Sequence, residues 1–486
     1  MILDDLGVPY KIIEAQDRVG GRLFTKTFDD ETGKPYNYYD VGAMRFPEID
    51  AMRRLFHLFA YPPLNKGVIQ LHNKLRPFFY DGLPGHRPFK SFNDITLRQD
   101  DVKLTAQLRA AEMIYDTDPT PYLAATADVP KITNDAIEEY GSALLDDLKN
   151  GGTKGWEKLM KVDHLSTRAL LSTIYRPSPK LKIPNAPLPT DVVNWCETFD
   201  GSTGAYDRAF SEKVLGAIAF GWQPSSSDAN EETKNNTKWW LIEYVTIILY
   251  HLICESHTFQ PPCSGGATQI ATCMKEYICS RQPKALTMKT RVTKIVQLSS
   301  PRSMLVYTGD RGVSHQFSHV VCTIPLPVLR TLDLTKAGLS VMQSNAIRQL
   351  SYGPSIKIGM QFREAWWTTG KDRDGNLLNI VGGQTYSDSP LRNIVYPSYG
   401  NAQQGKTVVL IASYCSVQDA DKLGALVALE DSTRLRELVV RELARIHNLD
   451  SIVIDGLLID TYAHDWSRDP NAMGRRIFPM LFPPLD

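Results

Sequence analysis

The sequence lacks an excess of charge of either sign: 54 lysines and arginines face 54 aspartates and glutamates over 486 residues. A protein that tracks nucleic-acid phosphates, or that carries an acidic tail, would show one sign in surplus, so no nucleic-acid partner is expected. Cysteine is scarce. The seven present (Cys196, Cys254, Cys263, Cys273, Cys279, Cys322 and Cys415) are odd in number, widely spread and without a C-x-x-C pair. That pattern excludes a disulfide framework and a zinc site, and leaves ordinary thiols. Long apolar runs are missing too. The most apolar stretch, Trp239 to Cys254, contains Glu243 and His251. It falls short of the roughly 20 residues that span a bilayer, and a buried helix is expected there. No basic n-region followed by an apolar stretch and a cleavage site opens the chain, so no signal peptide is read and the cytoplasm is the default compartment. There is no H-E-x-x-H pair and no G-x-S-x-G elbow, which argues against a zinc protease and a serine hydrolase. Asp372 to Asn376 mimics a calcium loop, but its glycine comes too early and the closing glutamate is missing. It is read as a turn, and no metal is expected.

What the chain does have is apolar mass. Some 43% of its residues are hydrophobic, ample for packed cores in two to four domains of roughly 150 residues each. Met1 to Leu6 reads as the end of a helix, Gly7 as its left-handed cap, and Tyr10 to Ile13 as a buried strand closed by Glu14. A glycine turn follows at Gly20-Gly21, and a second small-residue stretch runs from Gly42. From about 95 to 255 the periodicity becomes helical, interrupted by Pro177, Pro179, Pro184, Pro187 and Pro189, which force an extended connector. Gln223 to Thr237 is almost free of apolar residues and is expected to be an exposed loop, its Asn235-Asn236-Thr237 sequon a chance match. After Gly265-Gly266 a helix carrying Ile270, Met274 and Tyr277 leads into strand text at 286–298, 304–308 and 319–323, the last expected to be buried. Lys357 to Phe362 and Val408 to Tyr414 read as further strands. Ser432 opens a helix whose Leu435, Leu438, Val439, Leu443 and Ile446 share one apolar face.

Glu14 stands where a dinucleotide-binding β-α-β unit places the acid that holds a ribose hydroxyl. By position alone a solvated loop residue is the commoner explanation. Counting back roughly 20 residues puts the glycine motif before residue 1, so the chain is expected to open inside its cofactor fold. The neighbours of Glu14 carry a resemblance. Glu14-Ala15-x-x-Arg18-x-Gly20-Gly21-Arg22, followed by Asp40-x-Gly42-Ala43-Met44-Arg45-Phe46-Pro47, resembles the N-terminal signature of flavin amine oxidases, in the L-amino-acid oxidase branch of fungal and venom enzymes. Arg291-Val292-Thr293, Thr323-Ile324-Pro325-Leu326, Ser355-Ile356-Lys357-Ile358, Val395-Tyr396-Pro397, Trp466-Ser467 and Ala472-Met473-Gly474 extend the likeness over nearly all of the chain.

The resemblance implies an α/β (α+β) fold: a Rossmann-like FAD-binding domain of the amine oxidase and glutathione reductase type, a substrate-binding domain and an inserted helical domain. The expected division gives 1–60, 265–335 and 450–486 to FAD binding, 61–95 and 336–449 to substrate binding, and 96–264 to the helical insert. It also implies that Glu14 and Ala15 hold the adenosine ribose, that Arg22 neutralises the pyrophosphate, that Gly42, Ala43, Met44 and Arg45 line the flavin, and that Val292 meets adenine through its backbone. Without it, Arg22 is an exposed arginine after a hairpin and Val292 a strand valine. Arg45 becomes the anchor of a substrate carboxylate, a role a guanidinium fork suits and a neutral amine leaves empty. Tyr396 is expected to donate its phenol to the same carboxylate. Lys357 is expected to hold a water at flavin N5. Without the resemblance, Arg45 reads most often as a surface residue and Tyr396 as a half-buried strand tyrosine, and the pattern equally allows an outward-facing lysine at 357.

The implied chemistry is oxidation of an L-amino acid by FAD and dioxygen to a 2-oxo acid, ammonia and hydrogen peroxide, with a homodimer the family default. After Gly474 the text leaves the family pattern, so the final flavin-binding segment is expected to be missing along with the N-terminal glycines. Three readings stay open: an L-amino-acid oxidase, a non-catalytic remnant of one, and a related amine oxidase or amino-acid 2-monooxygenase.

Overall fold

The computed structural model describes residues 1–29, 36–66, 70–99, 129–224, 237–243, 265–299, 302–309, 312–350, 352–400, 402–429 and 432–474. Its fold is mixed α/β. The largest sheet has seven strands in the order Leu458–Asp465, Ser355–Phe362, Val409–Ser416, Asn393–Val395, Gln384–Ser387, Phe89–Phe92, Ile95–Arg98. Neighbours are antiparallel except Gln384–Ser387 beside Phe89–Phe92. Ser355–Phe362 is buried along its whole length. Alternation sends Ile356, Ile358, Met360 and Phe362 into a core shared with Leu435, Val439 and Leu443 of the helix Thr433–Ile446. That helix forms on the expected apolar face, although Ser432 at its N-cap makes no side-chain capping bond. The odd-numbered residues of the strand turn toward Tyr38–Asp40, and there the site is built.

A four-stranded sheet, ordered Val313–Phe317, Arg302–Thr308, Val292–Ser299, Asp333–Lys336, carries the meander. The expected buried strand at 319–323 does not form. Those residues lie in irregular chain, and Val321 is 87% exposed, so no sheet face is there to bury its apolar side chains. The opening helix Ile2–Asp5 and Gly7 at φ 67° match expectation. The strand that follows is only Ile12–Ile13, paired in parallel with Leu286–Thr287, and Ile12 is 37% exposed rather than buried. Among the described residues this two-residue strand pairs with Leu286–Thr287 alone and removes little apolar surface from water.

Trp239 to Cys254 brings a second correction. Trp239–Ile242 is a strand, paired with Phe46–Pro47 on one side and Leu75–Pro77 on the other. Two tryptophans, leucine and isoleucine favour a pleated surface, and a strand buried on both faces reads as a continuous apolar run, as a short buried helix does. Residues 244–254 lie outside the described residues, as do 225–236 of the expected loop with its sequon asparagines.

Helices Val129–Asn150, Lys154–Met160, Thr167–Thr173, Thr190–Asp200 and Phe210–Ala219 share a core of their own around Ile132, Leu159, Leu170, Val193 and Phe210. Arg392 fastens this core to the seven-stranded sheet. Its Nε lies 3.5 Å from Asp419 Oδ2, and its Nη2 donates to the Thr198 carbonyl at 2.9 Å and to the Gly201 carbonyl. Cys196, Cys273 and Cys415 are buried, Cys279 is half-buried and Cys322 exposed, all as free thiols. Cys254 and Cys263 lie outside the described residues. Among the described residues no helix is long and apolar enough to cross a membrane.

Candidate active site

Lys357 reaches out of the central strand into the segment that follows Tyr38–Asp40. Its Nζ donates to the carbonyls of Asp40 (2.8 Å) and Gly42 (2.6 Å), and it stands 4.7 Å from the Tyr414 ring centroid. A buried ammonium is costly unless hydrogen-bonded, and these carbonyls and this π face answer that cost. The Asp40 carboxylate serves another contact. It accepts from Thr25 Oγ1 (2.6 Å) and from the Ala267 backbone N–H (2.8 Å) beside the helix Thr268–Arg281. Burial lifts its pKa to about 6, against the pull of Thr25, Ala267 and Lys357.

Gly20 and Gly21 both have positive φ, 102° and 53°. The turn they make brings the Arg22 carbonyl against Gly42. The Ala43 N–H donates to that oxygen at 3.1 Å, and a Cβ on Gly42 would lie 1.8 Å from it. The protein's own backbone thus requires a glycine at this position. The Arg22 guanidinium lies 5.3 Å from the Tyr352 ring centroid, and its Nη1 is buried without a hydrogen-bond partner. Glu14 ends its strand with Oε1 accepting from the Gln16 N–H at 2.8 Å. Its backbone bonds to Thr287 and Thr290, which brings Glu14 and Ala15 close to the chain that enters Val292–Ser299.

Arg45 stands among aromatic rings. Its guanidinium carbon is 4.7 Å from the centroid of Tyr80, 5.5 Å from Phe78, 5.8 Å from Trp239 and 5.9 Å from Phe220. Tyr80 and Trp239 are themselves stacked at 4.9 Å. Cation–π contacts hold the charge in place, but they leave N–H groups without acceptors, and Arg45 Nη1 is buried and unpartnered. A pocket beside it is lined by Met44, Phe78, Leu241, Val395, Val409 and Ile411.

The structure thus gathers Arg22, Gly42, Ala43 and Lys357, with Met44 and Arg45 continuing the same segment, and it places Glu14, Ala15 and Val292 near one another. It does not bring the Tyr396 hydroxyl to Arg45. Tyr396 borders the pocket, but its hydroxyl lies 2.6 Å from His447 Nε2 and 3.0 Å from Thr385 Oγ1 in the helix-covered core. Phe78, Tyr80, Phe220 and Trp239 went unread in the sequence. They come from distant segments with no shared local pattern.

Two spacings in the sequence resemble other sites and form none. Gly400 to Thr407 fits G-x-x-x-x-G-K-T, but the strand Val409–Ser416 follows where a phosphate loop needs a helix, and Thr407 Oγ1 donates to the Tyr399 carbonyl. His315 and His319 stand four apart, His315 on a strand and His319 beyond it. No group of three histidine, cysteine, aspartate or glutamate side chains that could hold a metal occurs among the described residues.

A family model described as flavin containing amine oxidoreductase matches residues 2–484. An L-amino-acid oxidase 4 of Hebeloma cylindrosporum is 38% identical over 98% of this chain and 71% of its own length. A cytotoxic L-amino-acid oxidase of Amanita phalloides is 46% identical over 30% of this chain and 99% of its own. Among solved structures, a triple mutant of putrescine oxidase redesigned in its cofactor binding superposes with a TM-score of 0.59 at 14% identity, covering 98% of this chain and 83% of that one. That likeness bears on the fold.

Proposed function

The chain belongs to the flavin-containing amine oxidoreductase family, and on that premise we propose that it oxidises L-amino acids to 2-oxo acids, releasing ammonia and hydrogen peroxide. The observation that carries the reading is Arg45, a guanidinium caged by four rings with a buried Nη1 that has no acceptor. A buried N–H left unbonded costs about 1–3 kcal/mol, and a substrate carboxylate supplies the missing acceptor with charge to match. A neutral-tailed amine has nothing to offer it. This favours amino acids over simple amines, and aromatic or large apolar side chains suit the ring-walled surroundings.

The cofactor is FAD, and the residues present fit it. Arg22 Nη1, buried and unpartnered, suits a pyrophosphate oxygen. Glu14 ends a strand with a carboxylate able to accept from a ribose hydroxyl, with Ala15 beside it, and Val292 offers backbone groups to adenine. Gly42, Ala43, Met44 and Arg45 form the segment assigned to the flavin. When bound, FAD supplies the redox chemistry, taking a hydride equivalent from the substrate Cα and passing two electrons to dioxygen. The protein's share is orientation and charge. Arg45 fixes the carboxylate, so the amino acid approaches in one orientation. The aromatic walls exclude water and strengthen that contact. Lys357, held through the Asp40 and Gly42 carbonyls, is fixed in place and supports the water assigned to it by resemblance. Hydrolysis of the imino acid to oxo acid and ammonia needs only solvent.

The same reading divides the chain into FAD-binding (1–60, 265–335, 450–486), substrate-binding (61–95, 336–449) and mainly helical (96–264) parts, the last also holding the strand Trp239–Ile242 and the end of Ile95–Arg98, and takes a homodimer as the assembled form. The test is anaerobic. The purified protein, supplied with FAD, is mixed with L-phenylalanine or with phenethylamine and its flavin absorbance followed. Bleaching by the amino acid alone, with peroxide and 2-oxo acid on readmitting air, is the expected result. Bleaching by the amine to equal extent removes carboxylate selectivity, and amide in place of oxo acid makes the protein a monooxygenase.

A further inference from the structure

We propose that Arg392 is a positioning residue for substrate selection: by locking the helical core onto the seven-stranded sheet, it fixes Phe220 as the outer wall of the Arg45 cage. The inference rests on the L-amino-acid reading above. Phe220 differs from the other rings of the cage. Phe78, Tyr80 and Trp239 lie in or directly after the paired strands Leu75–Pro77 and Trp239–Ile242, whereas Phe220 follows the helix Phe210–Ala219. It is 44% exposed while Phe78 and Trp239 are buried, so it stands at the outer face of the cage. A substrate held by its carboxylate at Arg45 meets this ring with a large side chain and falls short of it with a methyl group.

Phe220 is carried by a rigid body. Val214 and Ile218 of its helix share one buried core with Val193 and Cys196 of the helix Thr190–Asp200, and close packing makes the two helices move together. The far end of Thr190–Asp200 meets the lock. Arg392 lies in the hairpin between Gln384–Ser387 and Asn393–Val395 and is buried. Its guanidinium caps the carbonyl end of that helix through Thr198 and Gly201, where the helix dipole favours a cation. Asp419, its ionic partner, stands in the first turn of the helix Val417–Val427, where a carboxylate is favoured, and accepts from the Thr203 N–H at 2.8 Å. The Ser416 N–H donates to Ser202 Oγ at 3.1 Å, and the rings of Phe92 and Phe199 meet at 4.4 Å. Residues 198–203 are thus gripped by hairpin, helix and strand together.

Two observations argue for position over stability. A buried ion pair contributes little net free energy once desolvation is counted, and what it gives is one defined arrangement. The backbone at the lock is also strained. Arg392 has a φ of 54° and Val417, a β-branched residue, a φ of 57°. Such conformations persist only where the surroundings over-determine them, and they gather where geometry serves function.

The test measures kcat/KM for L-phenylalanine and L-alanine in the FAD-loaded parent, Phe220→Ala, Arg392→Lys and the double variant, with the thermal midpoint of each. Lysine keeps a charge beside Asp419 but lacks the planar fork that reaches the helix carbonyls. Phe220→Ala is expected to lower the preference for L-phenylalanine about tenfold, the span of one aromatic contact. Arg392→Lys is expected to lower it about fivefold on its own, and less than about twofold further when Phe220 is already alanine, since residues that act through one another are not additive. Should Arg392→Lys not fold, Asp419→Asn loosens the same lock while keeping an acceptor for Thr203, with the same expectation. An unchanged preference in Phe220→Ala, or losses in the two single variants that simply add, overturns the inference. So does an Arg392→Lys protein that loses thermal midpoint and keeps its preference. In that outcome the turn at Gly221, whose Cβ would lie 2.6 Å from Thr237 Oγ1, places Phe220 unaided. Each of these leaves the amino-acid reading in place; a parent that oxidises neither amino acid overturns the reading and the inference with it.

Discussion

Lys357 Nζ donates to the Gly42 carbonyl at 2.6 Å, so the central strand of the largest sheet directly holds the segment that runs on to Arg45. Structural and electrostatic roles meet in one ammonium. Lys357→Met removes the charge and leaves the Asp40 and Gly42 carbonyls without this donor. We expect the rate of anaerobic flavin reduction to fall about a hundredfold, with a stability loss of only about 2 kcal/mol. Stopped-flow reduction and chemical denaturation, measured side by side, check it. A variant whose loss of rate merely follows its loss of fold would leave Lys357 a structural residue.

Arg45→Ala opens the aromatic cage and removes the carboxylate partner. KM for L-amino acids is expected to rise about a hundredfold, near 3 kcal/mol, a far larger change than any in the affinity for FAD, and the FAD-saturated variant keeps the flavin spectrum of the parent. Steady-state kinetics with a flavin titration separates the two. An unchanged KM would take Arg45 out of the substrate site.

Gly42→Ala and Gly21→Ala test backbone crowding against backbone conformation. A Cβ at Gly42 meets the Arg22 carbonyl at 1.8 Å, and backbone cannot step aside as a flexible side chain can. We expect about 3 kcal/mol of destabilisation and weakened FAD retention, because Arg22 must move. At Gly21 nothing lies within 4 Å and only the φ of 53° resists alanine, so about 1–2 kcal/mol is expected. Equal effects in thermal melts would show that crowding at Gly42 is relieved elsewhere.

His447 predicts a pH dependence. Its folded pKa of about 4 lies below the ordinary 6.5, so between these values the unfolded chain binds a proton that the folded chain refuses. Stability from this group is full above pH 6.5 and is lost as pH falls toward 4, about 3 kcal/mol in all. Asp40, raised from 3.8 to about 6, works the other way and gains stability on acidification across that window. The two contributions oppose each other across that window, and His447→Gln isolates the histidine's share. Denaturation curves at pH 7 and pH 4.5 should show the variant losing less on acidification than the parent; equal losses would mean that His447 does not titrate as described.

Sequence pattern revealed elements wherever periodicity and burial agreed. The helix Thr433–Ile446 announced itself by one apolar face, and the strand at Lys357–Phe362 by its apolar residues. Trp239–Ile242 misled because a strand buried on both faces has no alternation to distinguish it from a buried helix. For the site, the Arg22 to Arg45 segment was legible because its glycines and arginines are local. The cage around Arg45 was not, since Phe78, Tyr80, Phe220 and Trp239 meet only after folding. Tyr396 shows the sharpest limit. The family resemblance marked Val395-Tyr396-Pro397, but which face the tyrosine takes depends on the pairing of Asn393–Val395 with Gln384–Ser387, and a shift of one residue inverts the answer.

The strand Trp239–Ile242 also sets the timetable of assembly. It closes against Phe46–Pro47, and Trp240 Nε1 reaches Glu48 Oε2 at 2.9 Å across a separation of 192 residues. The Lys357 bond to Asp40 spans 317. Closing such distant loops costs entropy before any contact offsets it, and distant pairings form slowly. During synthesis the wall of the arginine cage stays open until the tryptophan strand has emerged, and Lys357 secures the floor later still. The cage around Arg45 therefore rests on pairings distant in sequence, the slowest kind to form.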